Sequence, residues 1–307
     1  MNEMMTAKEV ASYLNLNTKK VYQLVNDGLI PAARVGGKLI FPRSLLEEWL
    51  YNSARNNLRK ETDSHDKILI AIGSNDMAWE LLSRELIKTP YHLITTYANV
   101  GSIEGLLALS QRLAHIAGIH LFDPLTKEYN ISYLSRYLSG FSVTVINLFY
   151  RTQGIILGKG NPKKITSLLD FSRGDVVIIN RQDGSGTRIL FDTLLRDSGI
   201  AAASINGYDN SVTTHMELAA AIGKGHADAG IGIQAAAQAL GLDFIPLKDE
   251  RYDIVLLNDY LSLRSVQTLL EIIRSDRFKT LLHGREGYNL KDTGKTIFEG
   301  VVGSRDS

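Results

Sequence analysis

The sequence predicts an α/β protein preceded by a small helical region at its amino terminus. Beyond about residue 66, short apolar stretches typical of buried strands alternate with helical stretches, a pattern that predicts an α/β fold with a largely parallel sheet. Before residue 52, two short helical patterns precede a Gly-Gly hairpin pattern and a third helix. The polar stretch NSARNNLRKETDSHD between these regions predicts a linker.

Composition excludes several classes of protein. The 307 residues are 44% hydrophobic and 22% charged, which excludes a mainly disordered chain. Cysteine is absent, so disulfides, thiolate metal sites and cysteine nucleophiles are excluded. The start MNEMMTAKEV has no signal-peptide pattern, and no apolar run reaches the roughly 18–20 residues of a membrane span. We therefore expect a soluble, cytoplasmic protein with no membrane partner.

Charge is distributed unevenly along the chain. Residues 1–60 hold nine basic and five acidic side chains, a net charge of +4, whereas the remaining residues hold 25 basic and 28 acidic ones, a net charge of −3. The whole chain carries only +1, so it is not a polycation that coats nucleic acid. The basic amino-terminal region indicates an anionic partner for that region alone.

Local signals in the amino-terminal region predict a helix-turn-helix. The phrase TAKE at residues 6–9 fits a capping box, and the apolar face of the first helix lapses near Asn15. Asn17 or Thr18 can cap a second helix that ends near Asn26. ARVGGKLIF then alternates around a Gly-Gly pair, as in a tight hairpin, and a third helix follows.

This order of elements resembles the excisionase-type winged helix-turn-helix domains related to the MerR regulators, over about Met5–Tyr51. The resemblance implies that the second helix enters a major groove of DNA and that the hairpin lies near phosphate or the minor groove. Since one such domain offers few base contacts, we expect a homodimer on two half-sites. The residues placed near DNA are Thr18, Lys19, Lys20, Tyr22, Gln23, Arg34, Lys38 and Arg43. Taken singly, Lys19 and Lys20 also fit solvated charge, and Tyr22 also fits a partly buried core residue.

Four turns beyond the linker place polar donors beside a strand end or a helix start. They are Gly73–Asn75, Gly101–Ser102, Gly184–Thr187 and Thr213–Thr214. Backbone amides and hydroxyls at such positions bind anions. The glycine spacing fits neither a Walker loop nor a dinucleotide fingerprint, so the pattern does not indicate a nucleotide.

Several strands are predicted between and after these turns. SVTVINLFYRTQGIIL at Ser142–Leu157 is long and β-branched, and it could cross between two lobes. DVVIIN at Asp175–Asn180 predicts a strand, and Phe244–Leu247 and Tyr252–Leu257 predict two more. The last two would return the chain toward the first lobe.

The phrases AGIHLFDP, NLFYRTQGIILGKGNP, NRQDGSGTR and GKGHADAGIGIQAAAQALGLDFIPLKDERYDIVL resemble the cytoplasmic periplasmic-binding-protein-like domains related to molybdate- and tungstate-binding proteins. The resemblance spans about Lys67–Gly287 and implies two α/β lobes that close on a ligand. The predicted organisation is a winged helix-turn-helix domain at 1–52, a linker at 53–66 and a ligand-sensing domain at 67–307. Lobe I would comprise about 67–145 and 253–307, and lobe II about 150–245.

Together, the two resemblances imply a transcription regulator that senses molybdate or tungstate, without a cofactor, a catalytic residue or a metal site. In a dry cleft, a tetrahedral dianion is held by neutral donors at helix N-termini more than by lysines. The best ligand contacts by this reasoning are Ser74, Asn75, Ser102, Ser185, Gly186, Thr187 and Thr214. Further candidates are Arg181, Arg188, His120, His215, Tyr150 and Arg151.

Other interpretations stay open. Ser74, Ser102, Thr187 and Thr214 also fit simple helix caps, and the candidate histidines fit ordinary hydrogen-bonded side chains. Sulfate, phosphate or a small carboxylate could replace molybdate in the same architecture. An enzyme acting on a phosphorylated substrate is a further class, but spacing assembles no nucleophile–base–orienter set and no metal cluster. A DNA-bending protein with a vestigial ligand domain is the last alternative.

Overall fold

The computed structural model describes residues 4–51 and 64–303. The chain divides into two compact units, Met1–His65 and Asp66–Ser307, which we call the head and the body. Most of the predicted linker, residues 53–63, lies outside the described residues.

The described part of the head combines short helices with a small antiparallel sheet. The helices are α1 (Ala7–Tyr13), α2 (Thr18–Asn26) and α3 (residues 43–51), and the strands are β1 (Met4–Thr6), β2 (Ala33–Val35) and β3 (Lys38–Pro42). The strand order is β1-β3-β2. An apolar core joins the helices to β3 through Ala7, Val10, Ala11, Val21, Ile30, Phe41 and Leu46.

Local hydrogen bonds and backbone angles explain these boundaries. The Thr6 hydroxyl accepts the amide of Glu9 at 3.3 Å, and the Glu9 carboxylate accepts the amide of Thr6 at 2.7 Å, which confirms the predicted capping box. Asn17 caps α2 by accepting a first-turn amide at 2.8 Å. Gly36 and Gly37 have φ angles of 56° and 78°, the left-handed values that a two-residue hairpin turn requires. The predicted bounds of α2 are confirmed, whereas β1 was not predicted.

The body is built on one large mixed sheet. Its described helices are α4 (Ala78–Ile87), α5 (Ser102–Ser110), α6 (Ile131–Tyr137), α7 (Gly186–Asp197), α8 (His215–Gly223), α9 (Gln234–Ala239), α10 (Arg264–Arg274) and α11 (Asp276–Leu282). Its described strands are β4 (Ile68–Gly73), β5 (Ile94–Asn99), β6 (Ile116–Ile119), β7 (Ser142–Leu157), β8 (Asn180–Arg181), β9 (Ser211–Val212), β10 (Ala229–Ile233), β11 (Asp243–Leu257), β12 (Tyr288–Asn289) and β13 (Thr296–Val301). The sheet order is β10-β7-β11-β6-β4-β5, and β12 and β13 also pair with β7.

The prediction of a largely parallel sheet is wrong. Strand β4 runs parallel to β5 and β6, but β7 and β11 are antiparallel to each other, and each is antiparallel to its other neighbours. Strand direction depends on which distant segments become neighbours, and alternation of helices and strands along the chain does not determine it.

Two strand predictions need correction. The predicted strands at 244–247 and 252–257 are parts of the single strand β11, which is interrupted by register shifts at Pro246/Lys248 and Tyr252/Asp253. The apolar run at 175–180 contributes only its last residue to β8, together with an isolated bridge from Ile178 to Ala229. The predicted span of β7 is confirmed.

Strands β7 and β11 run through both lobes of the body. Two large apolar clusters use residues within 69–149 and 252–302, and we call this part the first lobe. Two others use residues within 155–237, which we call the second lobe. The middles of β7 and β11 lie between these cores, where Arg151 is paired with Glu250 in the sheet register.

Candidate functional site

Polar side chains from both lobes meet where β7 and β11 pass from one core to the other. Ser74 and His120 follow β4 and β6 of the first lobe, while Thr187 and His215 begin α7 and α8 of the second. All four are buried. The Asn75 side chain accepts the backbone amide of His215 at 3.3 Å, so it ties α8 to the turn after β4.

Arg151 is the centre of a buried ion-pair cluster. Its Nε donates to Glu250 Oε1 at 2.5 Å, and its Nη1 donates to Asp76 Oδ2 at 2.6 Å and to the Asn75 carbonyl at 2.9 Å. Its guanidinium also lies 4.8 Å from the ring centroid of Tyr252. Partners on several sides therefore hold this guanidinium in one orientation.

Electrostatics keep both members of the central pair charged. Burial by itself would lower the pKa of Arg151, but the carboxylates of Glu250 and Asp76 outweigh it and raise that pKa. Burial by itself would raise the pKa of Glu250, but Arg151 and His120 outweigh it and lower that pKa. The pair is thus an ionised salt bridge in the interior of the body.

His120 connects this cluster to Ser74. Its Nδ1 lies 2.6 Å from Glu250 Oε2, and its Nε2 lies 2.5 Å from Ser74 Oγ. Burial lowers the pKa of His120, against the opposing effect of Glu250. The serine–histidine–carboxylate connectivity is one that sequence spacing could not assemble, because the three residues come from three different strand ends or strands.

Several buried donors near this cluster lack a partner. Among the residues that the structure describes, no hydrogen-bond acceptor contacts Arg151 Nη2, Arg181 Nη1, Thr187 Oγ1 or either ring nitrogen of His215. We call this set the open donors, to which the neutral His215 ring contributes one N–H. Arg181 is otherwise anchored, since its Nη2 donates to the Thr213 carbonyl at 2.7 Å and its Nε to the Val212 carbonyl at 3.3 Å.

Among the open donors, the charge on Arg181 is poorly compensated. Burial, reinforced by repulsion from Arg151, lowers the pKa of Arg181 to about 10. Burial also lowers the pKa of His215 well below its ordinary value, and Arg181 and Arg151 lower it further. A buried cation is costly unless it is paired, and each unpartnered buried donor costs about 1–3 kcal/mol. The arrangement is therefore chemically suited to hold a small anion.

Three of the predicted hydroxyl contacts accept backbone amides. Ser185 caps α7 by accepting a first-turn amide at 3.2 Å, and Thr214 caps α8 in a capping box with an amide at 3.0 Å. Ser102 accepts the backbone amide of His120 at 3.2 Å. These three hydroxyls stabilise the turns around the site, and the open hydroxyl belongs to Thr187.

The remaining predicted residues divide into two groups. Gly186 starts α7 so close to the first lobe that a Cβ atom there would lie 2.5 Å from the His120 carbonyl oxygen. Arg188 pairs with Asp192 at 3.1 Å and with Asp183 at 3.4 Å, and the Tyr150 hydroxyl donates to Asp292 at 3.0 Å. The structure thus engages Arg188 and Tyr150 with neighbours outside the cluster. It brings together Ser74, Asn75, Ser102, His120, Arg151, Arg181, Ser185, Gly186, Thr187, Thr214 and His215.

Sequence reasoning missed the residues that orient Arg151 and His120. These are Asp76, Gln153 and Glu250, all buried, and the Gln153 amide donates to Glu250. A signal existed for one of them, because Gln153, like Arg151, is a polar residue inside the mainly apolar stretch of β7. Glu250 offered no such signal, since its own segment KDERYD is polar.

The head presents a second candidate surface. Lys19, Lys20, Tyr22 and Gln23 are exposed on α2, and Lys20 Nζ donates to Gln23 Oε1 at 3.2 Å. Thr18 is half-buried at the start of that helix. A cleft of about 500 Å³ separates α2 from the hairpin and is lined by Thr6, Ala7, Lys8, Thr18, Tyr22, Arg34, Gly37, Lys38, Leu39 and Ile40.

The predicted cations of the hairpin lie beside this cleft. Arg34 and Lys38 are exposed on β2 and β3, on its lining. Arg43 is half-buried at the start of α3, pairs with Glu47 at 2.8 Å and lies 5.7 Å from the ring centroid of Tyr13. The surface formed by α2 and the hairpin is thus cationic and concave, as a nucleic-acid interface requires.

Two protein families match the chain. The PBP superfamily domain matches residues 83–274, and the helix-turn-helix domain matches residues 4–52. The protein YvgK of Bacillus subtilis (strain 168) is 35% identical over 309 aligned positions, which cover 96% of this chain and 97% of YvgK.

Solved structures share the fold of the body. A phosphate ABC transporter substrate-binding protein from Clostridium perfringens, solved with bound phosphate, is 13% identical with a TM-score of 0.55, covering 73% of this chain and all of that one. The tungstate ABC transporter structure from Geobacter sulfurreducens is 14% identical with a TM-score of 0.51, covering 70% of this chain and 97% of that one.

Two kinds of feature are absent from the described residues. Across 4–51 and 64–303, no group of three or more histidine, aspartate or glutamate side chains could hold a metal ion. Within the same residues, no helix has the length and apolar character needed to span a membrane.

Proposed function

The chain belongs to the PBP superfamily and carries a helix-turn-helix domain before that region, and from this premise we propose a transcription regulator that responds to a small oxyanion. The head binds operator DNA, and the body binds the oxyanion between its lobes. Binding changes the affinity of the head for DNA. The regulator is cytoplasmic, acts as a homodimer and performs no catalysis.

The observation that carries the proposal is the set of open donors. Arg151 and Arg181 supply two guanidinium N–H groups, and Thr187 and His215 supply a hydroxyl and a ring nitrogen. A tetrahedral oxyanion presents acceptor oxygens in several directions, so one ion can accept hydrogen bonds from donors carried by β7, β8, α7 and α8. Its charge would also offset the repulsion between the two arginines.

The proposed ligand is molybdate or tungstate. Sulfate, phosphate and a small carboxylate present the same acceptor chemistry and are the alternatives. Thermal unfolding of the full chain with each of these anions separates them. At about 100 times its Kd, a ligand stabilises the native state by roughly 2.7 kcal/mol, which moves the unfolding midpoint by several degrees.

The experiment has outcomes that decide the proposal. A shift with molybdate or tungstate alone supports the proposed ligand, while a shift only with another anion replaces it. Fluorescence anisotropy of labelled operator fragments, with and without the effective anion, then tests the regulatory step. If no anion stabilises the protein, or if the effective anion leaves DNA affinity unchanged, the proposal fails.

An enzyme is the second candidate, because Ser74, His120 and Glu250 have the connectivity of a hydrolytic triad. We propose a binding role instead, since the Glu250 carboxylate is also paired with Arg151 and accepts a hydrogen bond from Gln153. Hydrolysis of p-nitrophenyl acetate and p-nitrophenyl phosphate should therefore be no faster with the natural chain than with Ser74→Ala. Turnover that depends on Ser74 would establish the enzyme.

A further inference from the structure

The hydrogen bonds around Glu250 fix which nitrogen of His120 carries a proton. Glu250 is ionised, so its carboxylate only accepts, and it takes hydrogen bonds from Arg151, Gln153 and His120 Nδ1. A neutral His120 must therefore hold its single proton on Nδ1. Its Nε2 then has a lone pair and accepts the hydroxyl proton of Ser74 across 2.5 Å.

This tautomer determines what Ser74 can offer a ligand. While its proton is donated to His120, the Ser74 oxygen presents only lone pairs to any other group. Those lone pairs would repel an oxygen of a fully deprotonated oxyanion, because neither atom would have a proton to donate. If His120 gains a proton on Nε2, that nitrogen donates to Ser74 Oγ, and the Ser74 hydroxyl is free to donate to the anion.

We infer that a fully deprotonated oxyanion enters this site together with one proton, which is taken up by His120, and that His120 thereby selects the protonation state of the ligand. The inference rests on the proposed function, because it requires an anion in contact with Ser74. An oxyanion that already carries a proton, such as hydrogen phosphate, would donate it to Ser74 and require no uptake. Affinity for a fully deprotonated anion therefore rises as the pH falls.

The surroundings of His120 favour this proton over one on His215. Charged or titratable groups face His120 from several elements: Glu250 and Tyr252 on β11, Arg151 on β7, Arg181 on β8 and His215 on α8. Glu250 stabilises the protonated imidazole at 2.6 Å, whereas the interactions that shift the pKa of His215 come from Arg181, Arg151 and His120 and all lower it. Burial keeps the pKa of His120 low in the absence of an anion, so the proton is taken up on binding rather than before it.

Isothermal titration calorimetry of the full chain measures this proton directly. Tungstate and sulfate would be titrated near pH 8 in buffers of different ionisation enthalpy, with phosphate as the probe that carries its own proton. We expect uptake of about one proton with tungstate or sulfate and about none with phosphate. Above the pKa that His120 has in the anion-free protein, the affinity for tungstate should fall about tenfold for each pH unit.

Substitutions then identify the group that takes up the proton. His120→Gln should abolish both the uptake and the pH dependence, and Ser74→Ala should reduce both while keeping the histidine. His226→Gln, an exposed histidine before β10, should change neither and is the matched control. Loss of uptake in His215→Gln with retention in His120→Gln would overturn the assignment.

The natural chain alone provides a decisive result if the variants do not fold. Tungstate or sulfate binding without proton uptake overturns this inference and leaves the proposed function standing. Failure of every anion to bind overturns the proposed function, and this inference falls with it.

Discussion

The head and the body both use cations, but they keep them in opposite environments. On the head, Lys19 and Lys20 are exposed on α2, and Arg34 is exposed on the lining of an open cleft. In the body, Arg151 and Arg181 are each 1% exposed and are held by carboxylates or backbone carbonyls. The same kind of charge is therefore solvated in one unit and enclosed in the other.

This difference predicts different physical behaviour at the two surfaces. Exposed charges interact through water and salt, so they give long-range attraction that falls steeply with ionic strength. Enclosed charges are screened little, and their orientation is fixed by the surrounding protein, so they favour one ligand geometry over another. We expect DNA binding by the head to depend strongly on salt and anion binding by the body to depend on it weakly.

Replacing Arg181 should have the largest effect. Arg181→Met removes an open donor and a buried cation from the proposed site, and loss of such a contact costs about 2–5 kcal/mol, or at least about 30-fold in anion affinity. The protein without anion should become more stable, by about 1–4 kcal/mol, because an incompletely compensated buried charge is replaced by an apolar side chain of similar length. Calorimetric titration and denaturant unfolding measure the two effects.

Arg196→Met is the matched control for this experiment. Arg196 is exposed near the end of α7, so the substitution makes the same change of side chain and charge at a position outside the buried cluster. It should change anion affinity by less than about threefold. If Arg181→Met kept its anion affinity, the enclosed Arg181 cation would have no role in anion binding.

The next largest effect concerns the head. Lys19→Ala combined with Lys20→Ala should weaken DNA binding about tenfold or more at low salt and flatten the slope of log affinity against log salt by about two. Anion affinity should stay within twofold. Lys159→Ala combined with Lys224→Ala removes the same charge from exposed positions of the body and is the control. Equal losses of DNA affinity in both double variants would mean that α2 has no special role.

The head was more predictable from sequence than the body. Its boundaries depend on contacts within a few residues, such as the Thr6–Glu9 capping box and the Gly36–Gly37 turn, and sequence records such contacts directly. The direction of β7 and β11 depends on pairing between segments about 100 residues apart, which local pattern does not contain.

In the candidate site, too, local features were predictable from sequence and long-range contacts were not. Sequence reasoning found the polar turns at Gly184–Thr187 and Thr213–Thr214, because turn chemistry is local. It could not distinguish a hydroxyl that caps a helix from one that is left open, since that depends on packing against the other lobe. It ranked Arg181 and Arg151 as weaker candidates than the hydroxyl residues. Their burial near Glu250 follows only from the fold, so the sequence did not show it.

The smallest expected effect separates a cap from a contact on α7. Ser185→Ala removes the cap and should lower the free energy of unfolding by about 1 kcal/mol, with less than about threefold change in anion affinity. Thr187→Val removes the open hydroxyl while keeping the shape of the side chain, so it should leave stability nearly unchanged or raise it. Its anion affinity should fall about 5–10-fold, because one ordinary hydrogen bond contributes a net free energy of about 1 kcal/mol.

Each of these two variants is the control for the other, since Ser185 and Thr187 flank Gly186 on the same turn. Chemical unfolding and anion titration of both give four values, and the expected pattern is crossed: stability falls in one variant and affinity falls in the other. A large affinity loss in Ser185→Ala with none in Thr187→Val would reverse the roles. In that case the Ser185 hydroxyl would be the anion contact, because it can donate its own proton while it accepts the helix amide. Burial without a hydrogen-bond partner would then no longer identify the ligand-binding groups of this site.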